Sequence, residues 1–184
     1  MAALALLLSP GLLATVMVEI PLEQMAREAD AVVHGRVLRV GTQLRAEADG
    51  VEPHTITVIQ VTEFLKGSGP ALISIDELGG HALDRGLRVD GTPAFHRGEE
   101  VILFLRRHGK RADTFRTFGM AQGKFTVLPG VRPGLSVARQ QLAGLSLQRD
   151  HRDETSLQRA PHAVSLQLDA LVGMVRSIGI EVGR

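Results

Sequence analysis

Apolar residues fall into short runs and alternating stretches along most of the chain, which is typical of β-strands. Gly35 interrupts the first such stretch and predicts a bulge or a close backbone approach. In the second, the apolar phase changes between Val58 and Ile59, which also predicts a bulge. The polar residues from Thr42 to Pro53 are predicted to form a loop. The predicted strands are Ala31 to Val40, Thr55 to Leu65, Ala71 to Leu78, Val101 to Leu105, Thr114 to Phe118, Phe125 to Leu128 and Leu135 to Arg139.

Two segments show helical periodicity instead. From Pro21 to Asp30, apolar residues recur at intervals of three and four, which predicts a short helix that begins at the proline. Near the C-terminus, Ser165 is a favoured cap for a second helix, and Gly179 is where that helix is expected to end. The predicted buried stripe of the second helix consists of Leu168, Leu171, Val172, Val175 and Ile178.

Long sequential strands with few helices predict a mainly β protein. An open sheet leaves strand edges exposed, whereas closure removes them. We therefore predict a closed five- to six-stranded OB-like barrel with a short N-terminal helix and a C-terminal helix. The predicted organisation is a signal segment at 1–18, the barrel domain at 19–146, a polar linker at 147–163, and the C-terminal helix at 164–180, packed on the barrel.

The first residues predict export. Ala2 to Val18 carries no charge and is interrupted at Pro10-Gly11, which is typical of the apolar centre of a secretory signal. The alternative interpretation, which we favour less, is a buried N-terminal helix. It is too short and interrupted to span a membrane well. Ala14 is a small residue at which a signal peptidase could cut, and the missing positive segment before it indicates a truncated start. We expect a secreted or periplasmic protein with no stable membrane span after processing.

The amino-acid composition excludes several classes of function. Lys and Arg number 21 and Asp and Glu 20, so no net field attracts nucleic acid. There are six Phe and no Trp or Tyr, which leaves few platforms for base stacking. The absence of Cys excludes disulfides, thiolate metal sites and a Cys nucleophile. We predict no nucleic-acid partner and no cofactor.

Three segments carry a resemblance to a known family. They are Glu28-Ala29-Asp30-Ala31-Val32-Val33-His34-Gly35-Arg36-Val37, then Val61-Thr62-Glu63-Phe64-Leu65-Lys66-Gly67, then Gly98-Glu99-Glu100-Val101-Ile102-Leu103-Phe104-Leu105. Their order resembles that of the netrin-like module, which includes the inhibitory domain of the tissue inhibitors of metalloproteinases. The resemblance covers residues 22 to 128 and implies an OB-type barrel flanked by helices. It also implies a zinc metalloproteinase as the candidate partner.

The chain departs from the animal inhibitors in one respect that matters. Those proteins chelate the catalytic zinc through the α-amine and carbonyl of an N-terminal Cys that disulfides hold, and this chain has no Cys. A terminus created near Thr15 to Val18 would still present an α-amine. The chain also resembles a set of bacterial exported proteins of unassigned activity, which share Glu77-Leu78-Gly79-Gly80 and Ala121-Gln122-Gly123-Lys124-Phe125. Some of these are associated with zinc metalloproteinases of the matrixin type.

Motifs for catalysis are missing. The seven His include no His-x-His and no His-Glu-x-x-His pair, so a zinc site would depend on the fold, and the metal prediction stays open. Gly119-Met120-Ala121-Gln122-Gly123-Lys124 is one residue short of a phosphate loop and is interpreted as a hairpin turn. No Gly-x-Ser-x-Gly elbow occurs. We predict that the protein is not an enzyme.

Three functional hypotheses follow. The first is an exported, non-catalytic protein-binding module, similar to a metalloproteinase inhibitor, whose partner is another exported protein. The second is an envelope metal-binding protein or enzyme that uses Asp76, Glu77, His81 and His96. The third is a structural or assembly subunit of the cell envelope that packs through its barrel face or C-terminal helix. For the first, the predicted partner-binding residues are Val18, Glu19, Ile20, Gly79, Gly80, His81, Pro93 and His96.

Overall fold

The computed structural model describes residues 15–47, 50–143, 145–148, 157–159 and 163–182, and the chain is mainly β. The first 14 residues of the predicted signal segment lie outside the described residues, as does most of the predicted linker. The strands are β1 (Thr15–Val18), β2 (Ala31–Glu47), β3 (Gly50–Lys66), β4 (Leu72–Leu78), β5 (Gly80–Ala82), β6 (Arg85–Leu87), β7 (Glu100–Arg107), β8 (Thr114–Thr117), β9 (Lys124–Pro129), β10 (Ser136–Gln141), β11 (Leu145–Gln148), β12 (Leu157–Arg159) and β13 (Ala163–Gln167). The helices are α1 (Leu22–Glu28), a 3-10 turn (Met120–Gly123) and α2 (Leu168–Val182).

The main sheet has eight strands in the order β13-β10-β9-β7-β2-β3-β4-β8. Because β8 pairs with β7 as well as with β4, five strands form a ring of pairings: β2, β3, β4, β8 and β7. All pairings in the ring are antiparallel except that of β4 with β8, which joins Ser74 to Thr114 and Ile75 to Phe115. Strands β9, β10 and β13 continue the sheet beyond the ring. A separate sheet has the order β1-β11-β12, with β1 parallel to β11.

The hairpin of β2 and β3 is longer than the sequence pattern predicts. The predicted loop from Thr42 to Pro53 is wrong, because the two strands stay paired from Thr42 and Thr55 out to Glu47 and Gly50. The polar residues there make cross-strand pairs on a solvated ribbon, which a search for apolar alternation does not detect. The predicted irregularity near Val58 is confirmed, but the extra residue, Leu38, lies on β2.

Two hydrophobic cores lie on opposite faces of the main sheet. One packs α1 and α2 onto the sheet, with Met25 and Ala26 from α1 and Leu171, Val175 and Ile178 from α2. The predicted C-terminal helix and its buried stripe are therefore confirmed. The second core is aliphatic except for Phe95 and Phe115, and it takes side chains from all five ring strands, which places it on the inner face of the ring.

The beginning of the C-terminal helix differs from the prediction. Ser165 does not cap it but lies in β13, where it pairs with Arg139 of β10, and the helix begins at Leu168. Val164 and Leu166 are partly buried while their neighbours are exposed, so the strand period of two prevails in this short segment. The helix also continues past Gly179 to Val182.

The Lys66-Gly67 turn has a clear structural role. The Lys66 ammonium donates hydrogen bonds to the carbonyl oxygens of Ala26 and Arg27, at 2.9 and 2.6 Å, and so satisfies the C-terminal end of α1. Gly67 has a φ of +76°, and a Cβ there would lie 2.7 Å from the Asp30 carbonyl oxygen. The turn therefore locks α1 onto the end of the β2–β3 pair.

Among the described residues, no helix is long and apolar enough to cross a bilayer.

Candidate functional site

A concave surface with a volume of about 660 Å³ lies beside the ring. We call it the main cleft. Its floor is the extension of the sheet through β9 and β10, and one wall is the segment from Arg88 to His96. Leu145 of β11 closes the far end. The lining residues with a formal charge are Arg88, Asp90, Glu99, Lys124 and Arg139, and His96 lines the cleft as well.

A buried ion pair organises one side of the main cleft. Lys124 Nζ lies 2.7 Å from Glu99 Oε1, and each side chain is only 11% exposed. The same ammonium donates to the Ala94 carbonyl oxygen at 2.5 Å, and the Thr126 hydroxyl donates to Glu99 Oε1 at 2.5 Å. These bonds fix the segment that contains Ala94 against β9.

Burial and hydrogen bonding act in opposite directions on the pKa values of Lys124 and Glu99. Desolvation lowers the pKa of Lys124, and the contact with Glu99 offsets this in part. Desolvation alone would raise the pKa of Glu99, but the hydrogen bonds from Lys124 and Thr126 outweigh it, so the pKa is lowered. The carboxylate of Glu99 is thus held in its charged form.

A buried glutamine clamps the N-terminal segment next to the main cleft. Gln122, 2% exposed, accepts a hydrogen bond from the Ile20 N–H through Oε1 and donates from Nε2 to the Val18 carbonyl oxygen, both at 2.9 Å. The Glu19 N–H also donates to the Gln148 carbonyl oxygen at 2.9 Å. The side-chain amide of Gln122 therefore acts like a peptide group of a neighbouring strand. It fixes the backbone from Val18 to Ile20 without any covalent link.

Contacts of glycines place this segment against the wall of the cleft. A Cβ added to Gly91 would lie 2.9 Å from Met17 Sδ, and one added to Gly119 would lie 2.9 Å from Ile20 Cδ1. The Ala121 N–H donates to the Gly91 carbonyl oxygen at 2.8 Å. The N-terminal segment, the cleft wall and the 3-10 turn therefore pack as one unit.

A second, smaller cleft of about 410 Å³ shares that wall and is lined mainly by apolar groups. Gly79 and Gly80 lie at its edge with φ values of +107° and +124°. A Cβ on Gly80 would approach Thr55 Oγ1 to 2.6 Å, so glycine is required for the close packing at this corner. Pro93 lines both clefts.

The predicted partner-binding residues are thus distributed over one continuous region and its border. Gly79, Gly80 and Pro93 line the smaller cleft, Pro93 and His96 line the main cleft, and the clamped segment from Val18 to Ile20 packs beside it. His81 lies in β5, is exposed and lines neither cleft. Whether these residues bind a partner stays a prediction.

The four residues of the metal or enzyme hypothesis have separate surroundings. Asp76 contacts His54 and Arg45, whereas Glu77 accepts a hydrogen bond from the Thr117 N–H at 2.7 Å. The ring of His96 is 81% exposed. Within the described ranges, no three His, Asp or Glu side chains are grouped to hold one metal ion.

Sequence reasoning missed a buried charged cluster around Asp76. His54 Nδ1 lies 2.7 Å from Asp76 Oδ1, and the two side chains are 1% and 0% exposed. Arg45 pairs with the other oxygen of Asp76, and His108 Nε2 lies 3.9 Å from it. The two histidines are 54 positions apart in sequence and Asp76 lies between them, so no spacing motif could have identified them.

The second ring nitrogen of His54, Nε2, is buried without a hydrogen bond from the described residues. Glu47 Oε1 lies 3.0 Å from His54 Nε2, but the approach does not have hydrogen-bond geometry, so this buried nitrogen lacks a hydrogen-bond partner among the described residues. Burial lowers the pKa of His108, with Arg116 adding to the effect. Among the described residues, His54 makes no hydrogen bond to a hydroxyl group.

Comparisons with known proteins add no assignment to this geometry. No protein-family model matches the chain, and a search of curated proteins returns no match.

Proposed function

We propose that the chain is an exported, non-catalytic protein-binding module built on a closed OB-type barrel. The ring order β2-β3-β4-β8-β7, with a parallel pairing only between β4 and β8, supports the barrel. A hydrophobic core contributed by all five ring strands supports it as well. OB-type barrels bind their ligands on one strand face and on the loops beside it. Fold alone carries no function, so the proposal depends on the surface beside the ring.

The observation that carries the proposal is the Gln122 clamp. Its two hydrogen bonds hold the backbone from Val18 to Ile20 in one conformation beside the main cleft. A segment fixed before binding loses less conformational entropy when a partner arrives, which raises affinity. Buried polar side chains that bond to otherwise unpaired backbone groups also give the segment a defined position.

An exported zinc metalloproteinase of the matrixin type is the partner to test first. The resemblance to the inhibitory netrin-like domain implies it, and the N-terminal segment is the part of that family that contacts zinc. In this chain Gln122 and the parallel pairing of β1 with β11 supply the anchorage that disulfides supply in the animal inhibitors. Inhibition here requires a processed terminus that presents its α-amine near Thr15 to Val18.

The assembly hypothesis finds less support in the C-terminal helix. Leu171, Val175 and Ile178 are 1%, 0% and 6% exposed because they pack against α1 and the sheet. This stripe is therefore occupied within the chain and does not offer a free face to an envelope partner. Removal of α2 would uncover the core instead of testing assembly.

The direct test is binding to a purified matrixin-type catalytic domain. Isothermal titration would use the secreted, naturally processed protein, with its N-terminus defined by mass spectrometry. We expect saturable binding at one-to-one stoichiometry, weakened at least tenfold in Gln122→Ala and unchanged in Gln60→Ala, an exposed glutamine of β3. Equal affinity in both variants would contradict a role for the clamped segment.

A further inference from the structure

The charges that line the main cleft do not balance. Lys124 and Glu99 neutralise each other at 2.7 Å, and Arg88 pairs with Asp90 at 3.0 Å. Arg139 is the remaining formal charge among the described lining residues, and it makes no hydrogen bond or ion pair there. The described lining residues of the main cleft therefore carry one uncompensated positive charge.

The position of Arg139 directs that charge into the cleft. On β10 it lies opposite Thr126 of β9, whose hydroxyl bonds to Glu99 on the inner side of the cleft. Arg139, Thr126 and Gln141 all line the same cavity, so they share one face of the extended sheet. Arg139 is exposed, whereas its neighbours Ala138 and Gln140 are buried on the other face.

We propose that the main cleft binds an extended acidic segment of the partner protein, with one carboxylate of that segment paired to the Arg139 guanidinium. This inference rests on the proposed protein-binding function and names the chemistry of the segment recognised. A guanidinium presents a planar fork of N–H donors that matches a carboxylate in a bidentate pair.

The surroundings favour a carboxylate over a phosphate. Glu99 and Asp90 are each paired with a cation, so Arg139 is the one described lining charge left to balance a ligand, and it matches a single negative charge better than a dianion. One free guanidinium neutralises one carboxylate. The apolar lining, which includes Val89, Leu128 and Leu145, suits the aliphatic side chains that flank the acidic residue.

The size of the cleft is consistent with a few residues of an extended peptide. A volume of about 660 Å³ lies within the ordinary range of roughly 300–1,000 Å³ for ligand sites. The side formed by Lys124 and Glu99 is already fixed by three hydrogen bonds, so little reorganisation accompanies binding. A short peptide is therefore a sufficient probe.

The test is a titration of the isotope-labelled protein, followed by NMR, with the peptide acetyl-Leu-Ala-Glu-Ala-Leu-amide. We expect amide shifts confined to the cleft, and an affinity at least fivefold weaker for the same peptide with Gln in place of Glu. Arg139→Gln should weaken binding of the Glu peptide by a similar factor. The same change at Arg132, exposed and outside the cleft, should leave it unchanged.

Either of two NMR results would overturn the inference. One is the absence of shifts in the cleft with the Glu peptide, and the other is equal affinity of the Glu and Gln peptides or of the Arg139→Gln and Arg132→Gln variants. An inorganic phosphate titration that saturates the cleft more tightly than the Glu peptide would assign the site to phosphate instead. Proteinase binding that is lost in Gln122→Ala but intact in Arg139→Gln would sink this inference and leave the proposed function standing.

Discussion

His54 and Asp76 form a buried hydrogen bond across the β3–β4 pair, with 2.7 Å between Nδ1 and Oδ1. Both side chains are at most 1% exposed. Arg45, from the neighbouring strand β2, pairs with the second carboxylate oxygen, so three adjacent strands meet at one charge. A buried carboxylate of this kind is expensive to leave unpaired, and His54 is the partner that is as deeply buried as Asp76 itself.

Asp76→Asn should therefore destabilise the fold strongly. Loss of the charge removes the ion pair with Arg45 and weakens the hydrogen bond with buried His54. Because the Arg45 side chain is 39% exposed, water screens that pair, and we expect a cost of about 1–3 kcal/mol. Urea unfolding should show a lower midpoint with an unchanged slope. Asp84→Asn, in the exposed turn between β5 and β6, is the control and should have little effect. Equal midpoints for the two variants would contradict this interpretation.

Two glycines of β2 provide a matched comparison of backbone crowding. A Cβ on Gly35 would lie 2.6 Å from the Gln60 carbonyl oxygen and 2.8 Å from Ile59 Cγ2, whereas nothing lies within 4 Å of one on Gly41. Gly35→Ala should lower the free energy of unfolding by about 1–3 kcal/mol through overpacking. Gly41→Ala should be neutral or stabilise by up to about 1 kcal/mol. A smaller effect at Gly35 than at Gly41 would show that the close approach is not maintained in solution.

Glu77 should make stability depend on pH with the sign opposite to that of most carboxylates. Desolvation raises its pKa above the usual value of 4.5, and the hydrogen bond from the Thr117 N–H offsets this only in part. The folded protein then holds a proton that the unfolded chain has lost, so stability falls as pH rises from about 4.5 through the raised pKa. Relative to wild type, Glu77→Gln should gain stability over that window.

Glu99→Gln serves as the control of opposite sign. Its pKa is lowered, because the bonds from Lys124 and Thr126 outweigh desolvation, so its contribution is present above its unfolded pKa and is lost as pH falls through the folded pKa. Chemical unfolding between pH 3 and 8 would measure both differences. Parallel pH curves for wild type and Glu77→Gln would refute the raised pKa.

Gln122→Ala should release the N-terminal segment. Removal of the side chain leaves the Ile20 N–H and the Val18 carbonyl oxygen without their partners, at a cost of about 1–3 kcal/mol for two hydrogen bonds. Hydrogen exchange should accelerate at the Ile20 amide and remain slow in β7. Gln60→Ala should leave both rates as in wild type. Unchanged protection of Ile20 in Gln122→Ala would mean that packing alone holds the segment.

Sequence patterns predicted helices and strands correctly where the buried side chains recur at a regular spacing along the chain. The helix at Leu22–Glu28 and the stripe of α2 were predicted because one face of each is apolar. Strand β7 was predicted because its continuous apolar run suits a strand buried on both faces. The close approach at Gly35 was also predicted, and the structure confirms it together with a shift of register. The turn before Gly123 was interpreted as a hairpin, but it forms a 3-10 helix.

The candidate site depends on relationships that a single sequence does not contain. Gln122 bonds to residues more than 100 positions away, and neither its type nor its neighbours predict that contact. The partners of Asp76 come from two other strands and a loop. Cross-strand register decides these pairs, and register is fixed by the packed sheet as a whole.

Inhibition of a matrixin-type zinc proteinase tests the central claim most directly. The naturally processed protein would be compared with the same protein acetylated at its N-terminus, and the inhibition constant would be measured for each. We predict tight inhibition by the free amine and a loss of at least a hundredfold on acetylation. Absence of inhibition by either form, or equal inhibition by both, would contradict an inhibitor that acts through its N-terminal segment.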